Sequence, residues 1–104
     1  YASSGSVYGI KKEKKVTENL DCYPLSTYNK TKMVAESIFL NHKNEMQIHC
    51  IRPATVCGVS PRLRLDVSVN RLTYQAVKKK EINVLGGSQI RPNIHINDLI
   101  LLKI

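Results

Sequence analysis

Tyr28 and Lys32 stand four residues apart in Tyr28-Asn29-Lys30-Thr31-Lys32. On a helix that spacing puts both side chains on one face. A free phenol titrates near ~10, too high for a base at neutral pH. An ammonium group within a few ångströms favours the phenolate, so the two residues can work as one acid/base unit. Taken alone, the same spacing is also that of an ordinary helix surface pair. Upstream, Ser3-Ser4-Gly5-Ser6-Val7-Tyr8-Gly9 is a hydroxyl-rich turn leaving a strand. In an open α/β sheet, ligands bind beyond the carboxyl ends of strands, where a serine can hydrogen-bond a substrate oxygen. A flexible turn has the same composition.

These residues need elements to hold them. Residues 1–4 read as a strand tail, and residues 5–27, with Gly5, Gly9 and Pro24, as mainly loop. Residues 28–43 carry a helical pattern with Val34, Ala35, Ile38 and Phe39 on one face and Asn29, Lys30 and Glu36 toward water. Ser26 or Thr27 can cap its start. Residues 47–51 read as a short strand stopped by Pro53, and residues 54–65 as a loop. A second helix is expected over residues 66–80, with Val69, Leu72, Thr73, Ala76 and Val77 inward. A strand over residues 82–85, a very short strand at residues 93–96 and a third helix from residue 97 to 104 complete the pattern. Strands alternating with helices predict an α/β fold with a parallel sheet.

Composition limits the possible functions. The 104 residues are 42% hydrophobic, which is not a disordered composition. A net charge of +8 is compatible with nucleic acid, acidic lipid or an anionic small substrate. Much of the excess sits in two runs, Lys11, Lys12, Lys14 and Lys15, and Lys78, Lys79 and Lys80. Those read as a solvated loop and a solvated helix end. No aromatic-interleaved basic stripe accompanies them. Cys22, Cys50 and Cys57 lack paired or metal-type spacing and read as reduced thiols, which suits a cytoplasmic setting. No apolar run reaches membrane-spanning length. Tyr1-Ala2-Ser3-Ser4 reads as a strand already in progress and residues 98–104 as a helix cut short, so a piece of a longer chain is expected.

Four ordered segments carry a resemblance. They are the strand ending in Ser3-Ser4-Gly5-Ser6-Val7-Tyr8-Gly9, the Tyr28/Lys32 pair, Ile51-Arg52-Pro53-Ala54-Thr55-Val56-Cys57-Gly58, and Gly86-Gly87-Ser88-Gln89-Ile90-Arg91-Pro92-Asn93-Ile94-His95-Ile96-Asn97-Asp98-Leu99. Their order and content resemble the extended short-chain dehydrogenase/reductases, the NAD-dependent nucleotide-sugar epimerase/dehydratase family. The resemblance implies one fragment over residues 1–104. It would comprise the catalytic half of a Rossmann-like NAD(P) domain and part of a substrate-binding lobe. The family's glycine-rich pyrophosphate turn is not in this sequence.

The resemblance also assigns roles. Ser4 matches the catalytic Ser/Thr that bonds the reacting sugar oxygen, Tyr28 the acid/base, and Lys32 the lysine on the nicotinamide ribose. Ser3, Pro53, Ala54 and Val56 fall beside the cofactor, NAD or NADP. Thr55 stands where the family usually carries a substrate-touching asparagine, which leaves the substrate open. Asn70 and Arg91 match residues at the substrate diphosphate. Asp98 reads as structural, capping the last helix. Arg62, Arg64 and Arg71 add positive potential or are simply solvated. The dehydratases' Asp-Glu pair is replaced by Gly5 and Ser6, so an epimerase or simple oxidoreductase fits better.

The expected function is therefore epimerase-like hydride transfer at a sugar carbon of a nucleotide sugar, in a parent that is a cytoplasmic homodimer. The isolated stretch should show little activity. Nucleic acid and membrane are not expected partners. A ketone- or steroid-type oxidoreductase and a non-catalytic basic nucleic-acid-binding module remain the alternatives.

Overall fold

The computed structural model describes residues 1–102. They form two compact units, one from Tyr1 to Ala54 and one beginning at Thr55.

In the first unit, residues 1–5 run alongside residues 49–53. Ala2 and Ile51 form a parallel bridge. Ile51 donates its amide to Tyr1 O at 2.9 Å, Ser3 donates to Ile51 O at 2.8 Å, and Gly5 donates to Pro53 O at 2.8 Å. Of the strand expected at residues 47–51, only Ile51 is paired in this way. The Tyr1 nitrogen also donates to His49 O at 2.6 Å.

The predicted loop after Ser4 opens with a 3-10 turn, Gly5–Tyr8. Ser4 caps it, its Oγ accepting from the Ser6 amide. Gly9 closes the turn at φ 70°, donating to Ser6 O at 3.1 Å. Helix α1 then spans Thr27–Asn41, with Ser26 as its cap, accepting from the Asn29 amide at 3.2 Å. Among the described residues, Val7 and Tyr8 are the buried hydrophobic side chains.

The outward and inward faces of α1 differ from the pattern read in the sequence. Glu36, expected in water, is 4% exposed, while Val34, Ile38 and Phe39 are exposed. The helix docks within its unit through a buried charge pair, described below, and through Phe39 stacked on Tyr1 with ring centroids 4.8 Å apart.

The second unit is built on a two-stranded parallel sheet, β1 (Thr55–Cys57) beside β2 (Asn93–His95), in the register Thr55–Asn93, Val56–Ile94 and Cys57–His95. β1 falls in the predicted loop. Its Thr-Val-Cys sequence suits a pleated surface, and the pairing partner 38 residues away in register makes it a strand.

Helix α2, Ser68–Tyr74, starts two residues later than expected and continues as a π-helical turn, Gln75–Lys79, ending at left-handed Lys80. Val69, Leu72 and Ala76 are half-buried as expected, but Thr73 and Val77 are exposed and Gln75 is buried. Residues 82–85 form no strand. No ladder partner pairs with them among the described residues, and the Asn83 amide bonds the Gln75 side chain at 3.2 Å instead.

Helix α3, Ile96–Ile100, follows β2 directly and packs on both strands. Its cap is His95, whose Nδ1 accepts from the Asn97 amide at 3.2 Å, while Asp98 lies in the first turn. Residues 103 and 104 of the expected third helix lie outside the described residues. The α/β class and its parallel pairing agree with the expectation.

Candidate active site

In the first unit the hydroxyl-rich turn and the Tyr28/Lys32 pair are tied together. Lys32 Nζ donates to Ala2 O at 2.8 Å, which brings it to the strand end just before Ser3 and Ser4. The same ammonium lies 5.7 Å from the Tyr28 ring centroid and 5.1 Å from that of Tyr1. Helical spacing thus puts Tyr28 and Lys32 on one face, as expected, and the Tyr28 side of the pair is open, at 56% exposure.

A second tie runs through hydroxyls. Ser6 Oγ donates to Asn29 Oδ1 at 2.6 Å, and the Ser4 and Ser6 hydroxyls are 2.8 Å apart. A hydroxyl has one proton. With the Ser6 proton on Asn29, Ser4 donates to Ser6, and Ser4 itself is half-buried. Ser6 and Asn29 were not singled out in the sequence, although Asn29 is the neighbour of Tyr28. Ser3, placed beside the cofactor by resemblance, is buried, whereas Pro53 and Ala54 are half-buried where the chain leaves the bridge at Ile51.

The third tie was also missed. Arg52 lays its guanidinium fork on the Glu36 carboxylate, with Nε at 2.9 Å from Oε1 and Nη2 at 2.6 Å from Oε2. Its remaining arm, Nη1, donates to the Tyr8 hydroxyl at 2.8 Å, and the guanidinium carbon sits 4.8 Å from the Tyr8 ring centroid. The hydrogen bonds from Arg52 hold the Glu36 carboxyl below its ordinary range, against the opposing effect of burial. The signal in the sequence was the position of Glu36, one turn beyond Lys32 and two beyond Tyr28 on the same helix face.

The second unit holds an open cleft of about 530 Å³ lined by Thr55, Arg71, Leu72, Leu85, Gln89 and Arg91 among others. Two of the expected substrate residues, Thr55 and Arg91, are therefore brought together. Arg71 joins them as a second guanidinium from α2. Asp66 also faces the cleft, but its charge is taken up by Arg64, whose hydrogen bonds hold that carboxyl below its ordinary range.

One wall of the cleft is shaped by Gln89. Its Oε1 accepts from the Gly87 amide at 2.8 Å and its Nε2 donates to Leu85 O at 2.7 Å, which holds the Gly86-Gly87 turn closed. Gly86 and Gly87 both lie at positive φ, 85° and 117°, a region open to glycine. Asn70 is not on the cleft wall. Its side chain accepts from the Gly58 amide at 3.4 Å and donates to Arg64 O at 3.1 Å. Val56 is the central residue of β1, half-buried.

The first unit thus carries a Tyr–Lys pair beside a strand end, and the second an arginine-lined cleft next to parallel strands. Residues 1–102 match the NAD dependent epimerase/dehydratase family, and the chain belongs to it. It is 37% identical over 103 residues to an uncharacterized UDP-glucose epimerase, YtcB, of Bacillus subtilis (strain 168), covering 96% of this chain and 32% of that protein.

Among solved structures it resembles UDP-glucuronic acid 4-epimerase from Bacillus cereus, in complex with UDP-glucuronic acid and NAD. The TM-score is 0.78 and the identity 37%, over 95% of this chain and 32% of the other. MoeE5 in complex with UDP-glucuronic acid and NAD matches with a TM-score of 0.80 and 32% identity, over 95% of this chain and 34% of the other. The chain thus spans about a third of the length of the relatives it matches. No helix among the described residues is long and apolar enough to cross a membrane.

Proposed function

We propose that this chain is the catalytic segment of an NAD-dependent nucleotide-sugar epimerase, with a UDP-hexose or UDP-hexuronic acid as substrate. The observation that carries the reading is the bond from Lys32 to Ala2 O, which sets the ammonium beside the exposed Tyr28 ring at the end of the first strand segment. Support for the substrate class comes from the relatives, whose names give UDP-glucose and UDP-glucuronic acid.

The residues present fit the cofactor. Lys32 spends one of its three donors on Ala2 O, so donors remain for a ribose diol, and Tyr28 is open to a ligand. Lys32 and Tyr28 would hold the nicotinamide ribose, with Ser3, Pro53, Ala54 and Val56 around the ring. When bound, NAD supplies the hydride acceptor and later the hydride donor.

The chain's own groups handle the proton and the oxygen. Ser4 Oγ would turn its proton from Ser6 to the sugar oxygen under attack and fix that oxygen's direction, leaving the sugar hydroxyl's own proton for Tyr28. Tyr28 takes the hydroxyl proton and returns it, and the Lys32 ammonium stabilises the charge on the phenolate oxygen. Arg91, with Arg71, would hold the substrate's phosphates in bidentate fashion, and Thr55 would line the sugar end of the cleft. Asn70, whose side chain braces Gly58 and Arg64 in the structure, would support that wall.

The test is an assay of the protein carrying this chain against UDP-glucose and UDP-glucuronic acid with NAD, following the C4 epimer by proton NMR. Appearance of the epimer supports the reading. Absence of turnover with both, in a folded protein that binds NAD, would overturn it.

A further inference from the structure

We propose that Arg52 is a positioning residue of the catalytic segment. One guanidinium holds the helix that carries Tyr28 and Lys32, the turn that carries Ser4, and the segment leading to Pro53 and Ala54 in a common register. The proposal rests on the functional reading above.

Among the described residues, polar ties join α1 to its unit from Lys32 to Ala2 O, from Ser6 to Asn29 and from Arg52 to Glu36. The first two are exposed, so water competes for both partners and each restrains position weakly. The third is part-buried, with Glu36 at 4% exposure, and it is the strongest restraint of these.

Its geometry is also the most demanding. The fork uses Nε and Nη2 on the carboxylate and Nη1 on the Tyr8 hydroxyl, and these donors are fixed in one plane. Moving the helix relative to the turn must break one arm or the other. Tyr8 ends the 3-10 turn that Ser4 begins, so the third arm reaches the turn itself. Arg52 is followed directly by Pro53, whose carbonyl accepts from Gly5. None of Arg52, Glu36 or Tyr8 is assigned a contact with cofactor or substrate, and a buried ion pair is weak evidence for stability as such. Precise placement of the reacting groups is what the arrangement supplies.

Two variants separate placement from folding. Arg52→Lys keeps a cation beside Glu36 but has no fork. Tyr8→Phe keeps the ring and the whole Arg52–Glu36 pair and removes only the link to the turn. In the protein carrying this chain, each should lower kcat roughly ten- to a hundredfold, the scale of a misplaced reacting group. The KM for the nucleotide sugar should stay within about twofold, as expected when ground-state binding is untouched. Amide exchange at Val7 and Gly9, the bonded amides of the turn, should quicken in Tyr8→Phe while exchange along α1 does not.

A lowered melting temperature with kcat unchanged well below it would make Arg52 a structural brace alone and overturn the proposal. So would unaltered exchange at Val7 and Gly9 in Tyr8→Phe. If the wild-type protein turns over no nucleotide sugar yet Tyr8→Phe quickens exchange at the turn, the link between guanidinium and turn stands. In that case the functional reading is the one that fails.

Discussion

Arg52 and Glu36 meet fork to fork, Nη2 2.6 Å from Oε2 and Nε 2.9 Å from Oε1, with the carboxylate side chain 5% exposed and the arginine side chain 22% exposed. Arg52 lies just before Pro53, and Glu36 lies in the middle of α1. Burial opposes the charge on both groups, and their mutual hydrogen bonds outweigh it, lowering the carboxyl and raising the guanidinium. A helix whose apolar residues are largely exposed is thereby fixed through its one buried acid.

Glu36→Gln should destabilise the protein by about 3 kcal/mol at neutral pH, because it strands a half-buried cation. Glu36 ionises below its ordinary 4.5 when folded, so its contribution is complete above that pH. The contribution is lost as pH falls below 4.5 and through the folded value, while Arg52 stays charged throughout. Melting temperatures of wild type and variant, measured against pH, should therefore differ most above pH 4.5 and converge below it. A constant gap down to strongly acidic pH would contradict the pairing.

Tyr28→Phe should remove most turnover, while NAD affinity falls by no more than the one ribose hydrogen bond lost with the hydroxyl, about 0.5–1.5 kcal/mol. Phenylalanine keeps the ring against which Lys32 Nζ sits at 5.7 Å but has no proton to move. Positioned acid/base groups contribute ~10²–10⁴-fold in rate. Steady-state kinetics together with NAD calorimetry decides it, and a variant within a few-fold of wild type would exclude Tyr28 as the acid/base.

Arg91→Ala should raise the KM for the nucleotide sugar about ten- to a hundredfold with little change in kcat. Charge held equally in ground and transition states appears mainly in KM, and a charge-assisted hydrogen bond is worth ~1.5–3 kcal/mol. The side chain is exposed on the cleft wall, so the unliganded melting temperature should hold. Protection of the variant against heat by UDP-sugar, as strong as in wild type, would rule out the phosphate-binding role.

Gly9→Ala should destabilise the turn severely. Gly9 sits at φ 70°, which costs a side-chain-bearing residue roughly 1–2 kcal/mol. A Cβ there would also run into the Tyr23 carbonyl oxygen, a backbone atom that cannot swing aside. Chemical denaturation should show a loss well beyond the left-handed cost alone. A loss no greater than that cost would mean the loop around Tyr23 shifts freely.

What could be read in advance is local. The helix start at Ser26, the shared face of Tyr28 and Lys32, the α/β class and the four ordered segments depend on spacing of a few residues and on cap and turn chemistry. Those rules act between neighbours, so a single sequence displays them.

What tertiary structure decided is every choice of partner. Thr55–Cys57 became a strand because Asn93–His95 lies beside it, and residues 82–85 did not because no ladder partner stands beside them among the described residues. Hydrophobic periodicity put Glu36 in water. Arg52, sixteen residues away, and Tyr8, at the end of a distant turn, made it the buried anchor of the helix. A carboxylate is buried only when a fitting cation arrives with it, and that meeting is a property of the folded chain.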